Sequence, residues 1–186
     1  MARLTRFLAL ASLLTACSES TMSPTGPTPG AASRSVSSNG PGAVFTQTNS
    51  PAGNAVLTFR RAADGSLTAA AATPTGGAGN GAGLGSQGSV TLSSDGDWLL
   101  VANAGSNEVS SFAVGDNGSL TLRGKAASGG LTPISVTIHD DLVYVLNAGG
   151  TGNISALRLA QDGTLAPIAG SSRGLSGAAV GPAEVS

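Results

Sequence analysis

The chain has 186 residues, a formal net charge of −1 and 28 glycines, and only 3% of its residues are aromatic and 10% charged. This length suits one ordinary domain, and so many small residues disfavour long helices and are typical of turn-rich β proteins. The few basic residues form no cluster, so the composition gives no electrostatic support for binding nucleic acid or another polyanion.

The first 16 residues have the pattern of an export signal. Arg3 and Arg6 form a basic start, and the apolar run at 7–14 (FLALASLL) is too short to cross a bilayer stably. The stretch 14–17 (LTAC) resembles the lipobox of bacterial lipoproteins, in which the cysteine is lipidated and becomes the new N-terminus. Cys17 is the only cysteine in the sequence, so it has no partner for an internal disulfide. A plain secretory signal followed by an unused cysteine is the alternative.

Residues 17–42 are predicted to be a lipidated cysteine followed by a tether to the folded part. The tether consists mainly of Ser, Thr, Pro, Gly and Ala, which cannot bury enough apolar surface to fold, so we expect it to be disordered. By resemblance to enterobacterial lipoproteins, a residue other than Asp after the cysteine directs the protein to the outer membrane, and Ser18 stands there. The predicted location is the periplasmic face of the outer membrane, with the lipid at Cys17 as the membrane contact.

Three passages within 43–186 repeat the same order of elements. Each begins with an apolar run that ends on Asn (44–49, 98–103 and 142–147), followed by a polar loop and a second β-rich run. Each then reaches a turn: DGSL at 64–67, NGSL at 117–120 and DGTL at 162–165. Asp-Gly or Asn-Gly between two short β-rich runs predicts a hairpin with the two positive φ angles of a type I′ turn.

A further strand-like run precedes the second and third passages, at 88–92 (GSVTL) and 134–138 (ISVTI). The last residues, 183–186 (AEVS), match the start of this run. Four short strands recurring every 45 to 53 residues are the signature of a β-propeller blade. The predicted fold is therefore all-β: a partial β-propeller of about three four-stranded blades, at about 43–88, 89–133 and 134–186. A β-sandwich with similarly spaced turns is the alternative.

The stretches at 89–96 (SVTLSSDG) and 98–105 (WLLVANAG) and the Asp-Gly-Ser-Leu turn resemble the lactonase-type β-propellers. This family includes 6-phosphogluconolactonase and 3-carboxymuconate cyclase and is related to the Tyr-Val-Thr-Asn repeat proteins; the resemblance covers 43–186. It implies seven blades in full-length members, so we interpret this sequence as a fragment, either truncated or completed by another copy through its open blade edges.

The same resemblance implies that a complete ring binds a lactone or sugar acid at its channel mouth and acts as a lactone hydrolase or cyclase. A non-enzymatic propeller that binds a ligand or a protein is the alternative, because the fold does not decide between them. We expect the fragment alone to be inactive in either case.

Propeller loops alternate between the two ends of the sheets. The Asn-rich loops (49–54, 103–107, 147–153) and the Gly-rich connections (74–88, 124–133, 170–182) are therefore expected to share the end where a ligand binds. The predicted ligand-facing residues are Ser89, Ser135, Asn103, Asn107, Asn147 and Asn153. Glu184, placed like Ser89 and Ser135, and Arg173 are the candidates for a carboxylate and a guanidinium that act on a lactone. The alternative is that both are solvated charges at a loop edge.

The remaining residues predict neither a metal site nor a cofactor. His139 is the only histidine and falls in a turn at the opposite end, and one histidine cannot build a zinc site. The scattered Asp residues lack an EF-hand pattern. The Gly-rich stretch at 76–83 (GGAGNGAG) lacks the lysine and the strand-to-helix setting of a phosphate loop.

Overall fold

A computed structural model of the chain describes residues 41–177 and 180–186. The predicted export signal at 1–16, the predicted lipidation site Cys17 and the predicted tether up to residue 40 lie outside these residues. No helix within the described ranges is long and apolar enough to cross a membrane.

The described chain is built of strands, with one turn of 3₁₀ helix at Asp116–Gly118. The strands are β1 (Gly42–Gln47), β2 (Ala55–Arg61), β3 (Leu67–Pro74), β4 (Val90–Leu92), β5 (Trp98–Asn103), β6 (Glu108–Val114), β7 (Leu120–Ala127), β8 (Pro133–His139), β9 (Leu142–Asn147), β10 (Asn153–Leu159), β11 (Leu165–Pro167) and β12 (Arg173–Gly174).

These strands form three antiparallel sheets. The first sheet has the order β1-β2-β3, the second β4-β5-β6-β7, and the third β8-β9-β10, whose outer edge is shared by β11 and β12. The second and third sheets fill all four strand positions of the predicted blade. The first sheet, among the described residues, begins at the second position and has three strands.

The second sheet is buried on both faces, which explains the continuous apolar run of β5. Successive strand residues point to opposite faces. Leu99 and Val101 accordingly pack with Val56 of the first sheet, whereas Leu100 packs with Val143 of the third. Burying each such side chain contributes about 1.5–3 kcal/mol. The three sheets therefore stack face to face as propeller blades, which confirms the predicted partial propeller and excludes the two-sheet sandwich.

Hydroxyl groups also tie neighbouring sheets together. Thr91 Oγ1 donates a hydrogen bond to the carbonyl of Val136 at 2.6 Å, and Ser111 Oγ donates to the carbonyl of Gly163 at 2.5 Å. Each bond joins a side chain of the second sheet to the main chain of the third repeat, so the packing has a defined register as well as an apolar core.

The hairpin turns differ from the predicted type I′ geometry. Of Asp64 and Gly65, only Gly65 has a positive φ, of 86°. Asp64 Oδ1 instead accepts hydrogen bonds from the hydroxyl and the N–H of Ser66 (2.7 and 2.9 Å), which lower the pKa of Asp64. The result is a type I turn closed by a glycine bulge, and the turn at 160–164 repeats it. Asn117 does adopt a positive φ, of 61°.

The first repeat also departs from the predicted strand ends. β5 and β9 end on Asn103 and Asn147 as predicted, but β1 ends at Gln47, two residues before Asn49. The reason is that Asn54 Oδ1 accepts the N–H of Asn49 at 2.9 Å and holds that residue in a loop, with a φ of 49°.

Candidate functional site

The Asn-rich loops and the Gly-rich connections meet at one end of the sheets, which we call the loop end. Asn49 Nδ2 donates to Asn80 Oδ1 and to the carbonyl of Ala82, both at 2.7 Å. In the second repeat, Asn107 Oδ1 accepts the N–H of Thr132 at 2.7 Å. The Asp-Gly and Asn-Gly turns lie at the other end, which we call the turn end.

Asn103 lies at the centre of a buried polar network between the first and second sheets. Its Oδ1 accepts from Thr75 Oγ1 at 2.7 Å and from Asn54 Nδ2 at 3.0 Å, and its Nδ2 donates to Ser110 Oγ at 2.8 Å. Asn103, Thr75 and Ser110 are completely buried and Asn54 is 2% exposed. The side chain of Asn103 thus fixes the loop end of two sheets and has no surface left for a ligand.

Asn147 occupies the equivalent place in the third sheet but is less fully bonded. Its Nδ2 donates to the carbonyl of Ser128 at 3.2 Å and to Ser155 Oγ at 3.3 Å, and the residue is completely buried. Its Oδ1 is buried without a hydrogen-bond partner. In the second repeat the matching oxygen, Asn103 Oδ1, accepts a hydrogen bond from Asn54. Asn107 takes the place of Asn54 one repeat later, but its side chain bonds to the N–H of Thr132 and not to Asn147.

A repeated Ser/Thr-Gly-Gly motif in the sequence marks these networks. Thr75-Gly76-Gly77 and Ser128-Gly129-Gly130 share a buried hydroxyl followed by two glycines. A Cβ at Gly77 would lie 2.6 Å from Cγ of Asn103, and one at Gly130 would lie 2.6 Å from Cγ of Asn147. The repeated Ser/Thr-Gly-Gly motif therefore exists because the connection passes directly over a buried asparagine.

Of the two inner-strand serines, Ser135 has a structural role. Ser135 is completely buried, and its Oγ accepts the N–H of Val185 at 3.1 Å. A Cβ at Gly88 would lie 2.4 Å from that hydroxyl, so the neighbouring inner segment covers it closely. Ser89 is half-buried, and its carbonyl accepts the N–H of Ala102 at 2.9 Å.

Asn107 and Asn153 are half-buried and hold the connections in place. Asn153 Nδ2 donates to the carbonyl of Gly129 at 3.0 Å and to Ser172 Oγ at 2.8 Å. Together with the Asn107 contact to Thr132, these bonds make the loop end a cross-linked surface. Of the four predicted ligand-facing asparagines, Asn107 and Asn153 reach the surface, and the buried Asn103 and Asn147 do not.

The structure does not bring Arg173 and Glu184 together. Arg173 lies in β12, which pairs with β10 at the outer edge of the third sheet, and its Nη1 donates to the carbonyls of Gly170 and Ser172. Glu184 is exposed beside Val185, whose N–H bonds to the inner strand β8. Strands are spaced about 4.8 Å apart, so β12 and β8, on opposite edges of the third sheet, lie roughly 14 Å apart. Arg173 lies on the outer edge because the predicted connection at 170–182 forms the short strand β12 there.

A shallow cleft of about 450 Å³ opens at the loop end of the first sheet. Its lining residues are uncharged: Pro51, Ala52, Gly53, Asn54, Ala55, Pro74, Gly76, Gly77 and Ala78. Beside it, Lys125 Nζ donates to the carbonyl of Gly76 at 3.0 Å and pairs with Glu108 at 2.8 Å. Partial burial opposes ionisation of Glu108, but hydrogen bonds from Lys125 and Ser106 outweigh it and lower the pKa. This charged pair is therefore already satisfied internally.

His139 lies at the turn end and is exposed, with its Nε2 3.7 Å from Asp140 Oδ2. Within the described residues there is no group of three or more His, Cys, Asp or Glu side chains that could hold a metal ion. The geometry of the described segment thus provides a hydrogen-bonded polar loop end and a neutral cleft.

Three stacked antiparallel sheets with cross-linked loops at one end define a segment of a β-propeller. The model of the lactonase family of seven-bladed β-propellers matches residues 51–180. The chain belongs to this family.

Among solved structures, the chain is similar to the periplasmic gluconolactonase PpgL of Pseudomonas aeruginosa, with 21% identity and a TM-score of 0.52 over 76% of this chain and 40% of that one. It is also similar to a Bacteroides fragilis protein proposed to be a 6-phosphogluconolactonase, with 22% identity and a TM-score of 0.56 over 72% of this chain and 36% of that one. These likenesses establish the fold, and the chain spans less than half the length of either structure. No curated protein sequence matches significantly.

Proposed function

We propose that this segment is part of a lactonase-like propeller that, in its complete form, hydrolyses or isomerises a lactone of a sugar acid at the loop end. The match of the lactonase family to residues 51–180 carries this proposal, and the likeness to a periplasmic gluconolactonase agrees with it. In this proposal the described sheets supply the scaffold and part of the rim, and residues of further blades complete the catalytic group.

Glu184 is the residue of this segment best placed to take part in such chemistry. It is exposed and adjoins the inner strand β8, where the channel of a propeller runs. A carboxylate there can act as a general acid or base toward the ring oxygen or an attacking water. Arg173, at the outer edge, would act only by attracting an anionic substrate.

The second candidate function is binding without turnover, and the neutral cleft favours it. A cleft lined by prolines, small residues and one amide can accept an uncharged ligand, but its lining has no group that could transfer a proton. A ligand-binding or protein-binding propeller would need no more than this surface.

We also propose that the protein is a lipoprotein of the bacterial cell envelope, anchored through Cys17 on the periplasmic face of the outer membrane. The LTAC stretch and the apolar segment before it support this proposal. Incorporation of labelled fatty acid into the expressed protein, and its loss in Cys17→Ser, would support it; equal labelling of both would contradict it.

The catalytic proposal is tested by following hydrolysis of glucono-δ-lactone by the full-length gene product above the spontaneous rate. We expect Glu184→Gln to lower kcat/KM by at least about tenfold, with Arg123→Gln, on the outer strand β7, as the matched control. No rate above background, together with saturable binding of the lactone, would favour the binding function. Unchanged turnover in Glu184→Gln would remove this residue from the mechanism.

A further inference from the structure

Asn117 and Gly118 form an exposed Asn-Gly pair at the turn end of the second sheet. An asparagine before glycine is especially open to spontaneous deamidation, because glycine has no Cβ to hinder the approach of its own nitrogen to the asparagine side chain. The sequence has two other such pairs, at 80–81 and, outside the described residues, at 39–40. The repeats of this protein show what the reaction at Asn117 would produce, and Asn80 provides a comparison within the same chain.

The side chain of Asn117 is unrestrained. Among the described residues its amide has no hydrogen-bond partner, and its φ of 61° and ψ of 19° lie in the left-handed region that asparagine tolerates. The N–H of Gly118 donates to the carbonyl of Gly115 at 3.1 Å. Because this bond closes an exposed turn, local opening frees the nitrogen readily.

Packing between the first two sheets requires glycine at position 118. A Cβ there would lie 2.3 Å from the Cβ of Ala43, and Gly118 has a φ of 74°. A bulkier residue would slow the reaction by hindering the nitrogen, but it would clash at this place. The contact between the sheets therefore maintains the reactive pair.

Asn80 has the same neighbour and is also exposed, but hydrogen bonds hold it in place. Its Oδ1 accepts from Asn49 Nδ2 at 2.7 Å and from the N–H of Ala82 at 3.0 Å. The N–H of Gly81 donates to the carbonyl of Asn49 at 3.0 Å. The amide of Asn80 and the nitrogen of Gly81 are both tied to Asn49, so neither can move toward the other without breaking these bonds.

The other two turns show the conformation that the product can adopt. Asp64 and Asp162 occupy the place of Asn117, and neither has a positive φ. In each turn the carboxylate accepts the N–H and the hydroxyl of the residue two positions later, at 2.9 and 2.7 Å. These bonds lower the pKa of both carboxyl groups, so the turn stabilises an ionised side chain at this position. In the second repeat, Ser119 offers the same N–H and hydroxyl.

We propose that Asn117 is a site of spontaneous deamidation, which converts the NGSL turn of the second repeat into a DGSL turn like that of the first. The nitrogen of Gly118 bonds to Cγ of Asn117, the Cγ–Nδ2 bond breaks, and the proton of the N–H leaves, through water, on the departing ammonia. One water molecule then opens the succinimide ring, at Cγ to give aspartate or at the main-chain carbonyl to give isoaspartate. The site lies at the opposite end of the sheets from the proposed lactone site and does not depend on that function.

The test is peptide mass spectrometry of the purified full-length chain after incubation at mildly alkaline pH, with a second sample kept in urea as the unfolded reference. In the folded protein, position 117 should convert at least about tenfold faster than position 80, because the bonds at Asn80 resist opening. In urea the two positions should convert at similar rates. Asn117→Gln would have to close a larger ring, so it should show no conversion there and leave position 80 unchanged.

The change in the turn is measured separately with Asn117→Asp, which supplies the aspartate product directly. The amide resonance of Ser119 should move in the direction expected for an N–H that donates to a carboxylate, and this shift should disappear as the pH falls and the carboxylate is protonated. An unmoved Ser119 resonance would contradict the conversion of the turn. Conversion in the folded protein that is no faster at position 117 than at position 80 would overturn the assignment of the site.

Discussion

The two buried asparagines make a direct test of what the loop-end networks contribute to stability. Asn103→Ala removes three side-chain hydrogen bonds of 2.7 to 3.0 Å in a completely buried place. At about 1 kcal/mol for each neutral bond, the free energy of unfolding should fall by about 3 kcal/mol. Asn147→Ala removes two longer bonds, of 3.2 and 3.3 Å.

The same change at Asn147 also removes an oxygen that is buried without a partner. Leaving such a group unpaired costs about 1–3 kcal/mol, so its deletion offsets most of the loss and the net change should be about 0–1 kcal/mol. Urea unfolding followed by fluorescence of Trp98, the only tryptophan, measures both variants. Equal destabilisation, or a larger loss in Asn147→Ala, would refute this account of the networks.

Three further outcomes follow from the geometry. Gly77→Ala forces a Cβ to within 2.6 Å of the Asn103 side chain and should cost about 1–3 kcal/mol, whereas Gly83→Ala, with nothing within 4 Å, should cost less than about 0.5 kcal/mol in urea unfolding. Trp98→Ala should lower stability by about 3 kcal/mol, measured by circular dichroism. Hydrogen bonds from Ser93 and the N–H of Asp97 lower the pKa of Asp95 below its ordinary 3.8, so its contribution is present above about pH 4 and is lost at lower pH. Asp95→Asn should reduce the fall of the thermal midpoint between pH 6 and pH 3.

The fold was largely predictable because its determinants are local. Apolar runs of the right length, turns on Asp-Gly or Asn-Gly, and their recurrence define strands, hairpins and blades without any knowledge of distant contacts. The turn type was not predictable from the Asp-Gly pair alone. Asp64 bonds to Ser66 instead of taking a positive φ, and this choice depends on a hydroxyl two residues later.

The candidate site was less predictable because burial depends on the neighbouring sheet. An asparagine at a strand end looks like a surface residue, yet Asn103 and Asn147 are covered by connections from other parts of the chain. Arg173 was expected near Glu184, but it lies in β12, which pairs with β10 on the outer edge of the third sheet.

The hydroxyl bonds between sheets have a consequence for how the chain is assembled during synthesis. Thr91 and Val136 are 45 residues apart, and Ser111 and Gly163 are 52 apart. Every sheet consists of hairpins between adjacent segments, so it can form as the nascent chain leaves the ribosome, and it finds its docking partner within roughly 50 residues of further translation. Growth then proceeds by adding one sheet to an already ordered face.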